Sequence, residues 1–268
     1  MKSILFTDLD GSLLDPQSYS YEGSQEAIRW LKERQIPIVF CSAKTRAEQE
    51  VYRKALGISD PFIVEEGGAI LIPRGYFPFS LQPQRWIDEY AVVELGLPYE
   101  QIRAVLDRLK GEFRGEIKTF GDLRAEEIAQ DSGLSLEMAR LAQQREYTET
   151  LKFEGPEEEV RRFLRRVEEK GLSWSRGERY YRVRGKADKG EATRVLLDLF
   201  KKAFGQVRSI AIGNSLSDEP MLRVVDCPIL LQEPDGGWAS VDISGLHRLE
   251  GFGPAGWTRA IKALASKL

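Results

Sequence analysis

Four short segments of the sequence place polar or charged side chains at the end of an apolar run or at the start of a helix. They contain Asp8 with Asp10, then Ser42, then Lys189, and finally Asn214 with Asp218. In open parallel sheets, ligands bind at the carboxyl ends of the strands. We therefore expect these side chains to meet at one site.

The first segment contains two carboxylates, Asp8 and Asp10, directly after a buried strand and before Gly11. One carboxylate can attack an electrophile while the other moves a proton, which is the division of labour in covalent acid–base catalysis. The competing interpretation is an ordinary turn, in which Asp and Gly are common. The position after an N-terminal apolar strand favours catalysis.

Ser42 and Lys189 are weaker signals when each is taken alone. The Ser42 hydroxyl follows an apolar run and can donate to a phosphate oxygen, although serine is also a common N-cap. Lys189 precedes Gly190 at the start of a helix, where lysine and the helix N-terminus both favour an anion. Together they predict a site for a phosphate group.

Asn214 and Asp218 lie four residues apart in a loop that leads into a helix. Oxygen donors from Asp8, Asn214 or Asp218, with a backbone carbonyl, suit Mg²⁺, which prefers oxygen ligands. Mn²⁺ and Co²⁺ remain open, because oxygen ligands admit more than one divalent ion. A plain turn with an exposed aspartate is the alternative.

The elements that would position these residues alternate between strand and helix. Strands are predicted at residues 4–7, 36–41 and 62–64, with helices at 24–35 and 46–56 between them. After residue 185 the same alternation resumes, with a strongly amphipathic helix at 189–204, strands at 208–212 and 228–231, and a closing helix at 257–268. This pattern is typical of a parallel sheet with helices on both faces, a Rossmann-like α/β core.

The middle of the chain has a different pattern. A segment rich in proline, glycine and aromatic residues at 73–83 reads as a linker, and a small α/β unit follows it. Its predicted strands are at 91–95, 117–120 and 146–153, with a last pair within 172–183. We therefore predict a core domain of residues 1–80 and 185–268, interrupted by an inserted α/β domain of residues 81–184.

Composition excludes several functional classes. The chain has 268 residues with a formal net charge of -3 and no basic stripe, so a nucleic-acid partner is not expected. Its one histidine, His247, lacks the spacing of hydrolase triads or zinc proteases. Two cysteines fit a reducing cytoplasm, and no run approaches a membrane span. Oligomeric state is left open.

The order of the four segments resembles the haloacid dehalogenase superfamily of phosphatases. The resemblance implies that Asp8 is the nucleophile and Asp10 the acid/base, and that Ser42 and Lys189 act on the phosphoryl group. It also implies Mg²⁺ bound by four residues, Asp8, Asp10, Asn214 and Asp218. The insertion resembles the α/β cap of sugar-phosphate members of the superfamily.

Several motifs resemble the mannosyl-3-phosphoglycerate phosphatases more narrowly, among them Ser42 to Arg46, Ala187 to Gly190, and Arg145 with Glu146 and Tyr147. This implies a phosphorylated sugar-glycerate substrate. The substrate-binding residues that it implies are Ser42, Lys44, Arg46, Glu66, Gly67, Gly68, Arg145, Glu146 and Lys189. Of these, Lys44, Arg46 and Arg145 are expected at the anionic end, with Glu66 or Glu146 on the sugar.

Three positions depart from the superfamily pattern. Ser12 replaces a usual threonine and keeps the hydroxyl, whereas Asn214 replaces a usual aspartate and supplies an oxygen without a charge. Glu66 stands where asparagine is common, and its carboxylate either repels an anionic substrate or accepts from a sugar hydroxyl. Three rival functions stay open: a phosphatase for sucrose phosphate or hexose phosphates, a phosphomannomutase-like transferase, and a non-catalytic sensor.

Overall fold

The computed structural model describes residues 1–177 and 179–265. The strands are β1 (Lys2–Thr7), β2 (Ile38–Phe40), β3 (Phe62–Val64), β4 (Ala69–Pro73), β5 (Arg85–Ile87), β6 (Tyr90–Glu94), β7 (Glu116–Thr119), β8 (Thr148–Glu154), β9 (Ser173–Arg176), β10 (Tyr181–Arg184), β11 (Val207–Gly213), β12 (Cys227–Leu231) and β13 (His247–Leu249). The helices are α1 (Gln25–Glu33), α2 (Arg46–Leu56), α3 (Tyr99–Lys110), α4 (Ala125–Ser132), α5 (Leu136–Ala142), α6 (Glu157–Glu169), α7 (Lys189–Phe204), α8 (Glu219–Leu222) and α9 (Gly253–Leu264).

The core is a parallel sheet in the order β13-β12-β11-β1-β2. Alternate residues of β1 point to opposite faces, as in any strand. Leu5 packs in a hydrophobic cluster with residues of α1 and α9, while Phe6 packs in a second cluster with residues of α7. Helices therefore cover both faces, and the predicted α/β class with a Rossmann-like parallel core is confirmed.

A second sheet, in the order β3-β4-β6-β5, is antiparallel and adjoins the core through a parallel bridge between Cys41 and Ile63. The strand that the sequence predicted as the first of the inserted domain is β6. In the structure β6 pairs with β4, on the core side. Strand pairing is non-local, and the apolar run of β6 contains no signal that names its partner.

The inserted unit has its own antiparallel sheet in the order β7-β8-β10-β9. Helices α3 and α6 bury Leu106 and Phe163 against this sheet, and α4 with α5 form a smaller cluster around Ile128. We call residues 99–184 the cap. The predicted boundary at residue 81 stays a prediction, although the pairing of β5 and β6 favours a boundary near Gly96.

Most predicted elements are confirmed, and α2, β3 and α7 have the predicted bounds. The short edge strands β5 and β13 were not predicted. Helix α9 begins at Gly253, four residues before the prediction, because Pro254 occupies the first turn and is tolerated there. The predicted end of this helix at residue 268 lies outside the described residues. Within the described ranges, no helix has the length and apolar character to cross a membrane.

Candidate active site

The carboxyl ends of β1 and β11 bring Asp8, Lys189 and Asp218 together. Asp8 directly follows β1, and its backbone N–H donates to the carbonyl of Ile212 on β11 at 3.0 Å. Lys189 is the first residue of α7, and its ammonium lies 2.8 Å from Asp8 Oδ1 and 2.7 Å from Asp218 Oδ1. All three side chains are buried, so this is a desolvated triad of one cation between two carboxylates.

The charges in this triad do not balance. Burial, then the carboxylates of Asp218 and Asp10, raise the pKa of Asp8 to about 7, and the ammonium of Lys189 offsets only part of this. Burial alone would lower the pKa of Lys189, but Asp218 and Asp8 raise it well above its ordinary value. Lys189 is therefore charged, and Asp8 is poised between its two protonation states near neutral pH.

Asp218 is saturated with hydrogen bonds from the protein. While Oδ1 accepts from Lys189, Oδ2 accepts from the backbone N–H groups of Asn214 and Ser215, each at 3.0 Å, and from the Ser215 hydroxyl at 3.0 Å. A Cβ on Gly213 would lie 2.5 Å from Asp218 Cβ, so glycine is needed for this tight loop. The carboxylate thus fixes the loop and the lysine.

Asn214 faces the turn that follows Asp10. Its Oδ1 accepts a hydrogen bond of 3.1 Å from the Ser12 hydroxyl, which joins two segments that the sequence placed at one site. Gly11 has φ +76°, and a Cβ there would lie 2.5 Å from Asn214 Nδ2. The glycine therefore allows both the left-handed turn and the close approach of the amide.

Asp10 does not contact Lys189. Its Oδ1 lies 3.0 Å from the ammonium of Lys44, which in turn lies 3.6 Å from Glu48 Oε1. Burial alone would lower the pKa of Lys44, but Asp10 and Glu48 raise it above its ordinary value. Lys44 also lies over the ring of Tyr19, at 4.9 Å from the centroid. The sequence predicted Lys44 as a substrate residue and missed both Glu48 and Tyr19.

Ser42 lies beside the triad. Its side chain is buried, its backbone N–H donates to Ile63 at 3.3 Å, and its hydroxyl oxygen accepts from the backbone N–H of Lys44 at 3.3 Å. The hydroxyl retains its own proton for donation, as the sequence prediction requires. Ser42, Asp8 and Lys189 line the same cavity.

This cavity lies between the core and the cap and measures about 550 Å³. Its floor is formed by Asp8, Asp10 and Lys189, and one side by the loop that contains Glu233 and Asp235. The cap contributes three arginines, Arg176, Arg179 and Arg182. Sequence reasoning missed these arginines, although their spacing of three residues along a short hairpin was visible.

Two predicted substrate residues, Arg46 and Glu146, do not line this cavity. Arg46 is paired with Glu50 at 3.2 Å, Glu146 at 3.5 Å and Asp88 at 3.7 Å, and Glu146 is also paired with Arg85. These ion pairs join the core to the start of β8. Their charges are already compensated by protein partners, so the geometry does not favour a role on the substrate.

Arg145 is also occupied by the protein. Its Nη1 donates to the carbonyl of Ala43 at 3.1 Å and to the hydroxyl of Thr148 at 2.8 Å, and its Nε donates to the carbonyl of Ala142 at 3.1 Å. It lines an adjoining space of about 70 Å³ beside Lys44, which shares Asp10, Tyr19 and Arg182 with the lining of the main cavity. That volume holds a few water molecules rather than a sugar.

The glycines at the end of β3 do not line the main cavity either. A Cβ on Gly67 would lie 2.2 Å from the carbonyl oxygen of Asp188, and a Cβ on Gly68 would lie 2.3 Å from Tyr147 Cβ. They allow close backbone packing behind the site. Glu66 does line the cavity, is 2% exposed, and lies 3.7 Å from Arg182 of the cap.

The donor set near Asp8 fits a hard divalent cation. Among the described residues, no group of three or more His, Cys, Asp or Glu side chains is arranged to hold a metal ion. Mg²⁺ needs fewer protein ligands, because it keeps several waters. The Asp8 carboxylate, the Asp10 carbonyl and the Asn214 amide supply oxygen atoms. Burial, and then the carboxylates of Asp218 and Asp10, raise the pKa of Asp8, an effect that a bound cation would oppose.

Comparison with known proteins identifies the class to which this fold and site correspond. A family model described as haloacid dehalogenase-like hydrolase matches residues 5–78. A Thermoplasma acidophilum crystal structure superposes with a TM-score of 0.69 at 15% identity, over 99% of both chains. A sugar phosphatase of haloacid dehalogenase subclass IIB superposes with a TM-score of 0.63 at 16% identity, over 98% of this chain and 99% of that one. At these identities, the structural likeness shows the fold alone.

Sequence relatives are more specific. The chain is 42% identical, over its full length and 98% of the relative, to a glucosyl-3-phosphoglycerate/mannosyl-3-phosphoglycerate phosphatase of Methanococcoides burtonii. It is 34% identical to a phosphatase of the same name from Persephonella marina, over 99% of this chain and 98% of the relative. It is 42% identical to a mannosyl-3-phosphoglycerate phosphatase of Pyrococcus furiosus, over 86% and 91%. The chain belongs to this family of haloacid dehalogenase-like phosphoric monoester hydrolases.

Proposed function

We propose that the protein hydrolyses mannosyl-3-phosphoglycerate to mannosylglycerate and phosphate through a phospho-aspartate on Asp8. The observation that carries this proposal is the buried Asp8–Lys189–Asp218 triad, of which Asp8 and Lys189 line a cavity of about 550 Å³. A cavity of this size accommodates a small phosphorylated glycoside. The relatives' names supply the substrate class.

In the first half-reaction, a carboxylate oxygen of Asp8 forms a bond to phosphorus while the bond from phosphorus to the glycerate oxygen breaks. Asp10, in its protonated form, gives its proton to that leaving oxygen. The alcohol departs neutral, and Asp10 is left as a carboxylate. Lys44, at 3.0 Å from Asp10 Oδ1, stabilises this charged form.

In the second half-reaction, the Asp10 carboxylate accepts a proton from water, and the water oxygen forms a bond to phosphorus. The bond between phosphorus and the Asp8 oxygen breaks, which releases inorganic phosphate and restores the Asp8 carboxylate. Asp10 is again protonated, so each group returns to its starting state. Ser42 and Lys189 donate to the transferring oxygens and stabilise the charge that develops on them.

A bound Mg²⁺ would be held by the Asp8 carboxylate, the Asp10 backbone carbonyl and the Asn214 side-chain oxygen. It supplies Lewis-acid stabilisation of phosphate charge and offsets repulsion between Asp8 and an anionic substrate. Mn²⁺ and Co²⁺ suit the same oxygen donors. Oδ2 of Asp218 accepts three hydrogen bonds from the protein, and Oδ1 accepts one from Lys189, so we assign Asp218 chiefly to the positioning of Lys189, with Oδ1 as its one oxygen for the metal.

Phosphate release with and without Mg²⁺ tests the proposal. The panel contains mannosyl-3-phosphoglycerate, glucosyl-3-phosphoglycerate, mannose 6-phosphate, glucose 6-phosphate, sucrose phosphate and 3-phosphoglycerate. Metal-dependent release that is fastest from the mannosyl substrate supports the proposal. Faster release from a sugar phosphate would contradict the proposed substrate, whereas the proposed phospho-aspartate mechanism would still stand.

Asp8→Asn tests the nucleophile separately. The variant should lose turnover by at least about 10⁴-fold, while its fold and its affinity for substrate persist, because the amide cannot attack phosphorus. Acid quench of the wild-type enzyme during turnover should trap one phosphate per chain, and the variant should trap none. Trapped phosphate in the variant would remove Asp8 from this role.

The glucosyl analogue is a second candidate substrate, since relatives from Methanococcoides burtonii and Persephonella marina carry both names. The two sugars differ in one hydroxyl configuration. We expect both to be hydrolysed, with kcat/KM values within about tenfold of each other, because one hydroxyl contact is worth about 1 kcal/mol. We also propose that the enzyme acts in the cytoplasm on this free small molecule.

A further inference from the structure

The cap presents a cluster of positive charge to the active-site cavity. Arg176, at the end of β9, Arg179, in the turn, and Arg182, on β10, line the same cavity as Asp8. We call these residues the arginine hairpin. Among the described residues, Arg182 is ion-paired with Glu66 at 3.7 Å, and Arg179 contributes to the lowered pKa of Asp131 without a direct ion pair.

Arg179 is held in place by backbone carbonyls, and the Asp131 carboxylate that interacts with it electrostatically is bound directly by Lys152 and Tyr180. Arg179 Nη1 donates to the carbonyls of Ser132 at 2.9 Å and Asp131 at 3.3 Å, the last two residues of α4. A helix C-terminus is favourable for a cation and fixes the direction of the guanidinium. Within the described part of the chain, Nε and Nη2 donate to no other group. These donors are therefore available to a ligand in the cavity.

Arg182 is positioned by Glu66, which follows β3. Its Nη1 lies 3.7 Å from Glu66 Oε1, which is too long for a direct hydrogen bond. Glu66 is 2% exposed, and its Oε1 has no hydrogen-bond partner among the described residues. The pair keeps Arg182 at the cavity, and within the described ranges no group accepts a hydrogen bond from its guanidinium.

The core side of the cavity also contains carboxylates. The loop after β12 contributes Glu233 and Asp235, which would repel a second anion. Lys44 is paired with the buried Glu48 carboxylate at 3.6 Å, a pair that persists when Asp10 is protonated, and it lines the smaller space of about 70 Å³. A ligand whose phosphate lies at Asp8 therefore finds its second anionic site on the cap.

We propose that the arginine hairpin binds the carboxylate of the leaving group, with Arg179 and Arg182 as the contacting residues and Arg176 at the rim. The enzyme thereby selects phosphate esters whose alcohol carries a carboxylate. This inference rests on the proposed function, because it assigns one end of the same substrate. It replaces Arg46 and Arg145, which are occupied by protein partners, as the residues for the anionic end.

The test compares Arg179→Gln, Arg182→Gln and the double variant on two substrates, mannosyl-3-phosphoglycerate and p-nitrophenyl phosphate. Arg165→Gln is the matched control, since it removes the same charge from an exposed position on α6. Each hairpin variant should lower kcat/KM for the carboxylate substrate by about 10- to 100-fold, and at least tenfold more than for the aryl phosphate. The loss should be mainly in KM, and Arg179→Lys should recover part of it.

Equal losses on both substrates, or an equal loss in Arg165→Gln, would overturn the proposal. A third readout separates it from the proposed function. The ratio of kcat/KM for 3-phosphoglycerate over glycerol 3-phosphate reports the carboxylate alone, because a hydroxymethyl group replaces it in the second compound. If the wild type does not hydrolyse the glycosyl substrates, the proposed function is wrong. The ratio still tests whether the arginine hairpin binds the carboxylate. A ratio above ten in the wild type that falls toward one in Arg179→Gln supports the hairpin, and an unchanged ratio refutes it.

Discussion

Glu65 joins the core to the cap, and its removal should be the most destabilising single change at this junction. Its Oε1 accepts from the backbone N–H of Glu146 at 2.8 Å. Its Oε2 accepts from the backbone N–H groups of Tyr147 at 3.0 Å and Thr148 at 2.8 Å, and from the Thr148 hydroxyl at 2.8 Å. One buried carboxylate thus satisfies three consecutive backbone donors at the start of β8.

The expected cost follows from these contacts. Glu65→Ala leaves three backbone N–H groups and a hydroxyl without an acceptor, and each unsatisfied buried donor costs about 1–3 kcal/mol. Burial raises the pKa of Glu65, so removal of its charge returns part of that cost. Because water reaches part of the space that is left, we expect a net loss of about 3–5 kcal/mol. This is a large part of a typical stability of about 5–15 kcal/mol.

Glu65→Gln separates the hydrogen bonds from the packing. If its amide oxygen takes the place of Oε2, the bonds to Tyr147 and Thr148 persist, and only the Glu146 N–H loses its acceptor. The expected loss is therefore about 1–2 kcal/mol. Urea unfolding measures both variants, with the exposed Glu33→Ala on α1 as the control. Hydrogen exchange at residues 146–148 should accelerate in Glu65→Ala. A loss below about 1 kcal/mol in this variant, with unchanged exchange, would refute the reasoning.

Three further predictions concern the charges of the site. In a chelator, the raised pKa of Asp8, about 7, means that its contribution to stability is present below pH ~4 and lost as pH rises to about 7. The Asp8→Asn variant lacks this titrating group, so its free energy of unfolding should rise by about 2–4 kcal/mol relative to that of the wild type between pH ~4 and 7. Thermal unfolding across this pH range measures the difference, and a difference that does not change with pH would contradict the prediction. Lys44→Met leaves the buried Glu48 carboxylate without its cation and should cost about 3 kcal/mol in urea unfolding, against no change for Lys201→Met. Asn214→Asp should lower the Mg²⁺ concentration for half-maximal phosphate release by about tenfold, and an equal or higher requirement would argue against this residue as a ligand.

The parts of the fold that the sequence predicted well are those with local signals at both ends. Helix α2 begins after Thr45, whose side chain forms a capping box with Glu48, and ends at Gly57 in the left-handed conformation. Helix α7 begins after the N-cap Asp188 and ends before Gly205. Such boundaries depend on a few neighbouring residues, and so they can be read without the tertiary structure.

The parts that the sequence could not supply depend on contacts between distant segments. The apolar run of β6 was assigned to the inserted unit, and its pairing with β4 requires knowledge of both strands. Arg46 and Arg145 look like anion-binding residues in isolation, but each meets nearer partners within the protein. Arg179 and Arg182 look like exposed charges, and only the placement of the cap directs them toward Asp8.

The balance of charge at the site gives a physical reason for the departure at Asn214. In the triad, the carboxylates of Asp8 and Asp218 share one ammonium, that of Lys189, while Asp10 is paired with Lys44, and the pKa of Asp8 is already raised to about 7. A fourth carboxylate beside Asp8 would raise that pKa further and favour the protonated nucleophile until a cation bound. The amide supplies an oxygen without this cost and accepts from Ser12. We therefore propose that Asn214 binds the cation more weakly than an aspartate would, and that the nucleophile Asp8 ionises more readily as a result.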